Sequence, residues 1–142
     1  MISPRSTSTH SEAQTAAVGR ELGSSLSAGD TVLLYGDLGA GKTAFVRGLA
    51  EGLGIDPDEV SSPTFTLVQE YAGTSLTLYH VDLYRLDSAE VDDLGLDDLL
   101  DSRGIVAIEW AERWPGRPRR AIDVQLEESG EGRRRIRVAR PD

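Results

Sequence analysis

The pattern of apolar and polar positions divides the chain into alternating strand-like and helix-like segments. Residues 31–35 (TVLLY) and 105–108 (IVAI) are continuous apolar runs, which are typical of strands buried on both faces of a sheet. Residues 12–26 and 44–54 instead place apolar side chains three and four positions apart, the spacing of an amphipathic helix. Ser11 followed by Glu12 is a helix-start signal. These segments predict an α/β protein.

Shorter patterns account for most of the remaining chain. Residues 61–71 and 75–86 are rich in Thr, Tyr, Leu and Val, so they predict two strands joined by a hairpin at residues 72–74. Residues 88–102 carry leucines among acidic residues and predict short exposed helices. Residues 121–128 and 133–140 alternate on either side of a glycine turn, which predicts a C-terminal hairpin. The first ten residues are small and polar, so we expect a flexible tail over 1–10 and a single domain over 11–142.

Composition narrows the class of protein. The chain has 142 residues and no cysteine, which excludes disulfides, cysteine-based zinc sites and thiol catalysis. No apolar run approaches the roughly 18 residues of a membrane span, and the first ten residues lack the apolar segment of a secretory signal. We therefore expect a cytoplasmic protein without a membrane partner.

Charge is unevenly distributed. The net charge is −9, which argues against a protein that coats nucleic acid by electrostatics alone. Residues 111–142 nevertheless carry nine arginines against six acidic residues. This basic segment is either a partner-facing edge or, as is more common for such residues, the solvated face of strands.

Residues 36–43, GDLGAGKT, have the spacing of a phosphate-binding loop through Gly36, Gly41, Lys42 and Thr43. In such loops the backbone N–H groups surround phosphates, the lysine reaches the β and γ oxygens, and the threonine hydroxyl binds magnesium. A chance glycine-rich turn is the alternative, but the strand pattern before the loop and the helix pattern after it disfavour that reading. The loop therefore predicts a site for the phosphates of a nucleoside triphosphate together with Mg²⁺. The predicted fold is a three-layer P-loop NTPase-like fold with a mixed central sheet and a C-terminal β-hairpin.

Two acidic residues occupy the strand ends where magnesium ligands are expected. Glu109 directly follows a buried apolar run, and Asp82 ends a second strand-like run, where it shares a face with His80 by period two. Ligands of open α/β sheets bind at the carboxyl ends of strands, so we predict both acids at the magnesium site. The alternative for each is a capping or surface acid. His80 either orients the neighbouring carboxylate or makes a core hydrogen bond.

At this point the motifs resemble those of a known family. GDLGAGKT, the run SPTF at 62–65, HVDLYRL at 80–86, the acidic DDLGLDDLL and IEW at 108–110 follow one another in the order and spacing of the bacterial TsaE family. That family is the small ATPase of tRNA threonylcarbamoyladenosine biosynthesis. The resemblance covers nearly the whole chain.

The resemblance implies a weak, magnesium-dependent ATPase that acts on the adenosine beside the anticodon together with partners. The implied partners are the threonylcarbamoyl transferase subunit and its paralogous scaffold subunit, with tRNA near the complex. Carried over by motif, Lys42, Asp82 and Glu109 are the catalytic residues, and Thr43, Asp82 and Glu109 handle magnesium. The implied nucleotide contacts are Gly39, Ala40, Gly41, Lys42, Thr43, Ala44, Thr64 and Trp110. Thr64 would sense the γ-phosphate or only pin its turn, and Trp110 would lie beside the site or be a core aromatic.

The chain departs from the family pattern at two places. Ala44 stands where the family commonly has a second threonine, which puts a side-chain contact to the α-phosphate in doubt. Residues 113–120 are also richer in arginine than the family leads us to expect, and they either meet tRNA or a partner or form a loop.

Two other functions compete with this prediction. A small-molecule P-loop kinase needs a lid whose arginines close over the phosphates, and no lid insertion is evident before residue 105. The second alternative is a module that binds ATP and switches a partner without hydrolysing the ATP. It differs from the predicted ATPase only in whether hydrolysis is needed for function. A GTPase is disfavoured because no Asn-Lys-x-Asp run is present to recognise guanine.

Overall fold

A single mixed sheet forms the centre of the protein. The computed structural model describes residues 5–36, 41–60, 68–84, 86–100, 102–114, 116, 118 and 120–141. Within them, the strands are β1 (Arg5–Thr9), β2 (Thr31–Tyr35), β3 (Val68–Ala72), β4 (Thr77–Asp82), β5 (Ile105–Glu109), β6 (Ile122–Gly130) and β7 (Arg133–Ala139). Their order across the sheet is β1-β7-β6-β2-β5-β4-β3. Strands β6, β2, β5 and β4 run parallel, whereas β1, β7 and β3 pair antiparallel with their neighbours.

Helices cover the sheet on both faces and complete the predicted three-layer fold. The described helices are α1 (Glu12–Ser24), α2 (Lys42–Gly52), α3 (Ser88–Asp93) and α4 (Leu96–Leu100). One apolar core includes residues of α1, α2 and one face of the sheet, and a second core lies on the opposite face with residues of α3 and α4. The Ser11 side chain caps α1 by accepting from the N–H of Gln14, as the sequence predicted. None of the described helices is both long and apolar enough to span a membrane.

Helices α1 and α2 approach each other backbone to backbone through four glycines. A Cβ atom on Gly48 would lie 1.8 Å from the carbonyl oxygen of Ala16, and one on Gly23 would lie 2.3 Å from that of Leu49. The same calculation gives 2.2 Å at Gly19 and 2.5 Å at Gly52. Only glycine permits this close contact. The contact holds α2, the helix that follows the phosphate loop, against α1.

The N-terminal segment differs from the sequence prediction. Residues 5–9 were expected to belong to a flexible tail, but they form β1, which pairs antiparallel with β7 from Arg5↔Val138 to Thr9↔Arg134. The pairing covers an edge of the C-terminal hairpin that would otherwise expose its N–H and C=O groups. Thr9 is buried, and its hydroxyl shares a 2.8 Å hydrogen bond with that of Thr15 in α1. Contacts that are remote in sequence therefore order a polar segment with a weak local signal.

Candidate functional site

The register of the parallel strands brings the two predicted acids together. Glu109, at the end of β5, pairs with Asp82 at the end of β4 on one side and with Leu34 of β2 on the other. Registered residues of adjacent parallel strands lie side by side at the same edge of the sheet. This is also the edge where β2 ends and the chain continues towards α2. Ligands of α/β sheets bind at such carboxyl edges.

The end of the phosphate loop forms the beginning of α2. Gly41 adopts a left-handed conformation with φ 95° and is the N-cap of α2, where no side chain caps the helix. A glycine N-cap offers no capping oxygen of its own to the start of α2, and helix N-termini bind anions through their first-turn N–H groups. The predicted contacts Gly39 and Ala40 lie outside the described residues.

Lys42 is a buried cation, with 5% of its surface exposed. Its Nζ donates a 2.7 Å hydrogen bond to the carbonyl oxygen of Gly36 and lies 3.7 Å from the centroid of the Trp110 ring. Burial of an ammonium group is costly unless hydrogen bonds and opposite charge or π-density compensate it. The contacts hold the lysine head at the loop.

Trp110 lies beside the loop in a strained conformation. Its φ of 58° is left-handed, which is uncommon for a residue with a large side chain and costs energy. The ring packs against Tyr84 with centroids 4.9 Å apart, and the Arg113 guanidinium lies 5.8 Å from its centroid. The strained turn directly follows Glu109, so it turns the aromatic ring back over Lys42.

The two carboxylates have different surroundings. Glu109 is 4% exposed, and its Oε2 is hydrogen bonded to Nε2 of the fully buried His80. Asp82 is partly buried, and its Oδ1 accepts a 2.9 Å bond from the N–H of Tyr84. Burial raises the pKa of Asp82, and the charge of Glu109 adds to that rise, while the Tyr84 N–H, His80 and Lys42 oppose it.

Sequence reasoning missed one cation next to the loop. A Cβ atom on Gly41 would lie 2.8 Å from Cδ and 2.9 Å from Nε of Arg134, so this β7 side chain crosses the loop at Gly41. Arg134 stands two positions before the buried Ile136 and shares its face of the strand. That period-two relationship distinguishes Arg134 from the neighbouring arginines and was the available signal.

The donor atoms at this edge suit magnesium. Mg²⁺ prefers oxygen ligands and is commonly held by one or two carboxylates together with substrate phosphates. Asp82 and Glu109 supply two adjacent carboxylates. In the part of the chain that the structure describes, no group of three or more His, Cys, Asp or Glu residues could hold a metal alone. The predicted γ-phosphate contact Thr64 lies outside the described residues.

Comparison with known proteins identifies the family. The sequence model of the family described as "Threonylcarbamoyl adenosine biosynthesis protein TsaE" matches residues 9–136. A "tRNA threonylcarbamoyladenosine biosynthesis protein TsaE" from Nostoc sp. (strain PCC 7120) is 48% identical over 121 residues, which cover 82% of this chain and 74% of the relative. The protein of the same name from Treponema pallidum is 46% identical over 127 residues, covering 88% of this chain and 93% of the relative.

A solved structure agrees with the family match. The crystal structure of Bacillus subtilis YdiB superposes with a TM-score of 0.80 at 32% identity, covering 100% of this chain and 88% of that one. The fold, the motif order and the family match agree over most of the chain. The chain belongs to the TsaE family of threonylcarbamoyl adenosine biosynthesis proteins.

Proposed function

We propose that this chain binds ATP and Mg²⁺ at the carboxyl edge of its sheet and hydrolyses the ATP slowly in the service of tRNA threonylcarbamoyladenosine synthesis. One observation carries the proposal: a buried lysine at the start of a helix with a glycine N-cap lies at the sheet edge where two carboxylates are paired in register. A cation, the N–H groups of a helix N-terminus and carboxylates that can hold magnesium are the parts that phosphoryl transfer from ATP requires.

Each group has a distinct task in this proposal. The N–H groups at the start of α2 and the Lys42 ammonium bind the phosphate oxygens. The Thr43 hydroxyl, Asp82 and Glu109 hold magnesium, directly or through water, and Glu109 also orients the attacking water. Magnesium, when bound, neutralises phosphate charge. Trp110, whose ring lies against the Lys42 ammonium, lies beside the nucleotide.

We propose that partner proteins supply the additional positive charge at the γ-phosphate. Arg134 lies beside Gly41 at the start of α2, where it adds to the binding of phosphate charge. An arginine that a partner supplies raises hydrolysis by about 10³ to 10⁵ in other P-loop enzymes. We propose that the threonylcarbamoyl transferase subunit and its scaffold paralogue complete this site, with tRNA near the complex, in the cytoplasm.

The test is ATP turnover by the purified chain, measured alone and with the transferase pair and tRNA. We expect slow turnover alone and faster turnover in the complex. In Glu109→Ala the stimulated turnover should disappear while ATP binding persists, because the loop and Lys42 are unchanged. Rapid hydrolysis by the isolated chain that the partners leave unchanged would show that the site is already complete and the proposed mechanism wrong.

A further inference from the structure

The interaction between His80 and Glu109 takes place away from solvent. His80 has no exposed surface and Glu109 is 4% exposed. His80 pairs in register with Ala107, two positions before Glu109 on β5, so the imidazole and the carboxylate share a face of the sheet and meet diagonally. The bond joins Nε2 of His80 to Oε2 of Glu109. Neither group can exchange this partner for water without opening the site.

The Glu109 carboxylate determines which nitrogen of the His80 ring carries the proton. Nδ1 of His80 is buried and has no hydrogen-bond partner in the described part of the chain. A proton on Nδ1 would leave a buried donor unsatisfied, at a cost of about 1–3 kcal/mol. An unprotonated Nδ1 leaves a buried acceptor unpaired at a similar cost, so Nδ1 does not decide the tautomer. The Glu109 carboxylate decides it, because its Oε2 accepts and the facing Nε2 must carry the proton that it donates. The network therefore selects the Nε2–H tautomer.

We propose that His80 is a positioning residue for Glu109. By donating to Oε2, His80 fixes the plane of the carboxylate and leaves Oε1 for the reaction site. Asp82 stands next to Glu109 in register, so two acids at this edge repel each other and an unrestrained Glu109 would turn away. The inference rests on the proposed function, since it assigns a purpose to the orientation of a residue that we propose handles water and magnesium.

The first test reads the tautomer and needs no ATPase activity. The chain contains two histidines, so ¹⁵N spectra of the imidazoles can be assigned with the exposed His10→Ala as the matched control. We expect His80 to show Nε2 as the protonated nitrogen at neutral pH and its Nε2–H resonance to shift in Glu109→Ala. A protonated Nδ1, or a His80 signal that Glu109→Ala leaves unchanged, would overturn the proposal.

The second test separates positioning from a purely structural role. In the complex with partners, His80→Leu should lower kcat by about 10- to 100-fold, the usual effect of removing a partner that orients a reactive ligand. His80→Gln, which retains an N–H donor at similar reach, should recover part of that loss. The affinity for ATP without magnesium should stay at the wild-type value in both variants, because the phosphate loop is untouched.

The outcomes also distinguish this inference from the proposed function. If kcat of His80→Leu equals that of the wild type, His80 does not position Glu109. The same conclusion follows if the Leu and Gln variants lose kcat equally and also bind ATP more weakly without magnesium, because His80 would then act only as a core residue. Thermal unfolding of each variant checks that it folds. If His80→Leu does not fold, the imidazole spectra of the wild type decide whether His80 donates to Glu109. Absence of ATP turnover by the wild-type complex would instead contradict the proposed function, while the imidazole spectra would still decide whether His80 holds Glu109.

Discussion

Polar residues have opposite surroundings on the inner strands β2, β4 and β5 and on the outer strands β1 and β7. On the inner strands, β5 is buried along its whole length, and the two buried side chains His80 and Glu109 bond to each other. On β7, Ile136 packs on the core while the alternate positions Arg133, Arg135 and Arg137 are exposed. A buried polar group must replace its lost hydration, whereas an exposed one keeps it. Polar residues in the inner region are therefore informative about function, and exposed ones in the outer region are not.

The C-terminal arginines of β7 fall into the same two groups, exposed and partly buried. The run Arg133–Arg135 is a uniform basic stretch in sequence, but period two places its outer members in solvent and its middle member against Gly41 of the phosphate loop. Solvation is a sufficient explanation for Arg133 and Arg135. It does not explain Arg134, which is partly buried on the helix side of the sheet.

The largest difference between the two regions should appear when a cation is removed from each. Lys42→Ala should lower ATP affinity by at least about tenfold, because each lost charge-assisted hydrogen bond contributes about 1.5–3 kcal/mol. Arg135→Ala, the matched exposed control, should leave ATP affinity unchanged. Calorimetric titration with ATP measures both. Equal affinities in wild type and Lys42→Ala would mean that the loop does not bind phosphates.

The contact between α1 and α2 predicts the next largest effect. Gly48→Ala should destabilise the fold by about 1–3 kcal/mol or more, since its Cβ would lie 1.8 Å from the Ala16 carbonyl and the helices must separate. Helix propensity alone predicts the opposite sign, a gain of about 1 kcal/mol. Glu51→Ala, which removes only an exposed 3.4 Å ion pair with Arg20 of α1, should cost no more than about 1 kcal/mol. Urea unfolding of both variants measures whether the steric cost of the added methyl group exceeds the gain in helix propensity.

The sequence predicts those features whose cause is local. Continuous apolar runs locate β2 and β5, helical spacing locates α1 and α2, and the loop motif locates Lys42. The acids Asp82 and Glu109 follow from their places at strand ends, because parallel strands present their carboxyl ends at one edge. These features need no knowledge of which segments meet.

Features that depend on distant contacts were not predicted. The segment RSTST has a weak strand signal, and its pairing with β7 follows from a hairpin more than 120 residues away. Gly41 and Arg134, which lie in contact, are likewise far apart in sequence. Sequence reasoning placed His80 beside Asp82 by period two, whereas the observed hydrogen bond joins it to Glu109 on the adjacent strand. Register between strands, which pattern alone does not fix, determined the β1–β7 and His80–Glu109 contacts. The contact between Gly41 and Arg134 depends instead on where the start of α2 lies against β7.

The smallest predicted effect concerns the charge of Asp82. Because burial raises the pKa of Asp82 in the fold, its protonated form is favoured there, and that contribution to stability is lost as pH rises through the folded-state pKa. At pH 7 the wild type therefore carries a disfavoured charge that Asp82→Asn removes, while an amide oxygen can still accept from Tyr84. The variant should unfold at a higher temperature at pH 7, with the gap closing towards pH 4, and the exposed Glu127→Gln should change little. Addition of magnesium and ATP should reverse the order, because the proposed metal site loses a carboxylate. A variant less stable than wild type at pH 7 without nucleotide would show that the charge of Asp82 stabilises the fold, contrary to the expectation that a partly buried charge on the inner strands destabilises it.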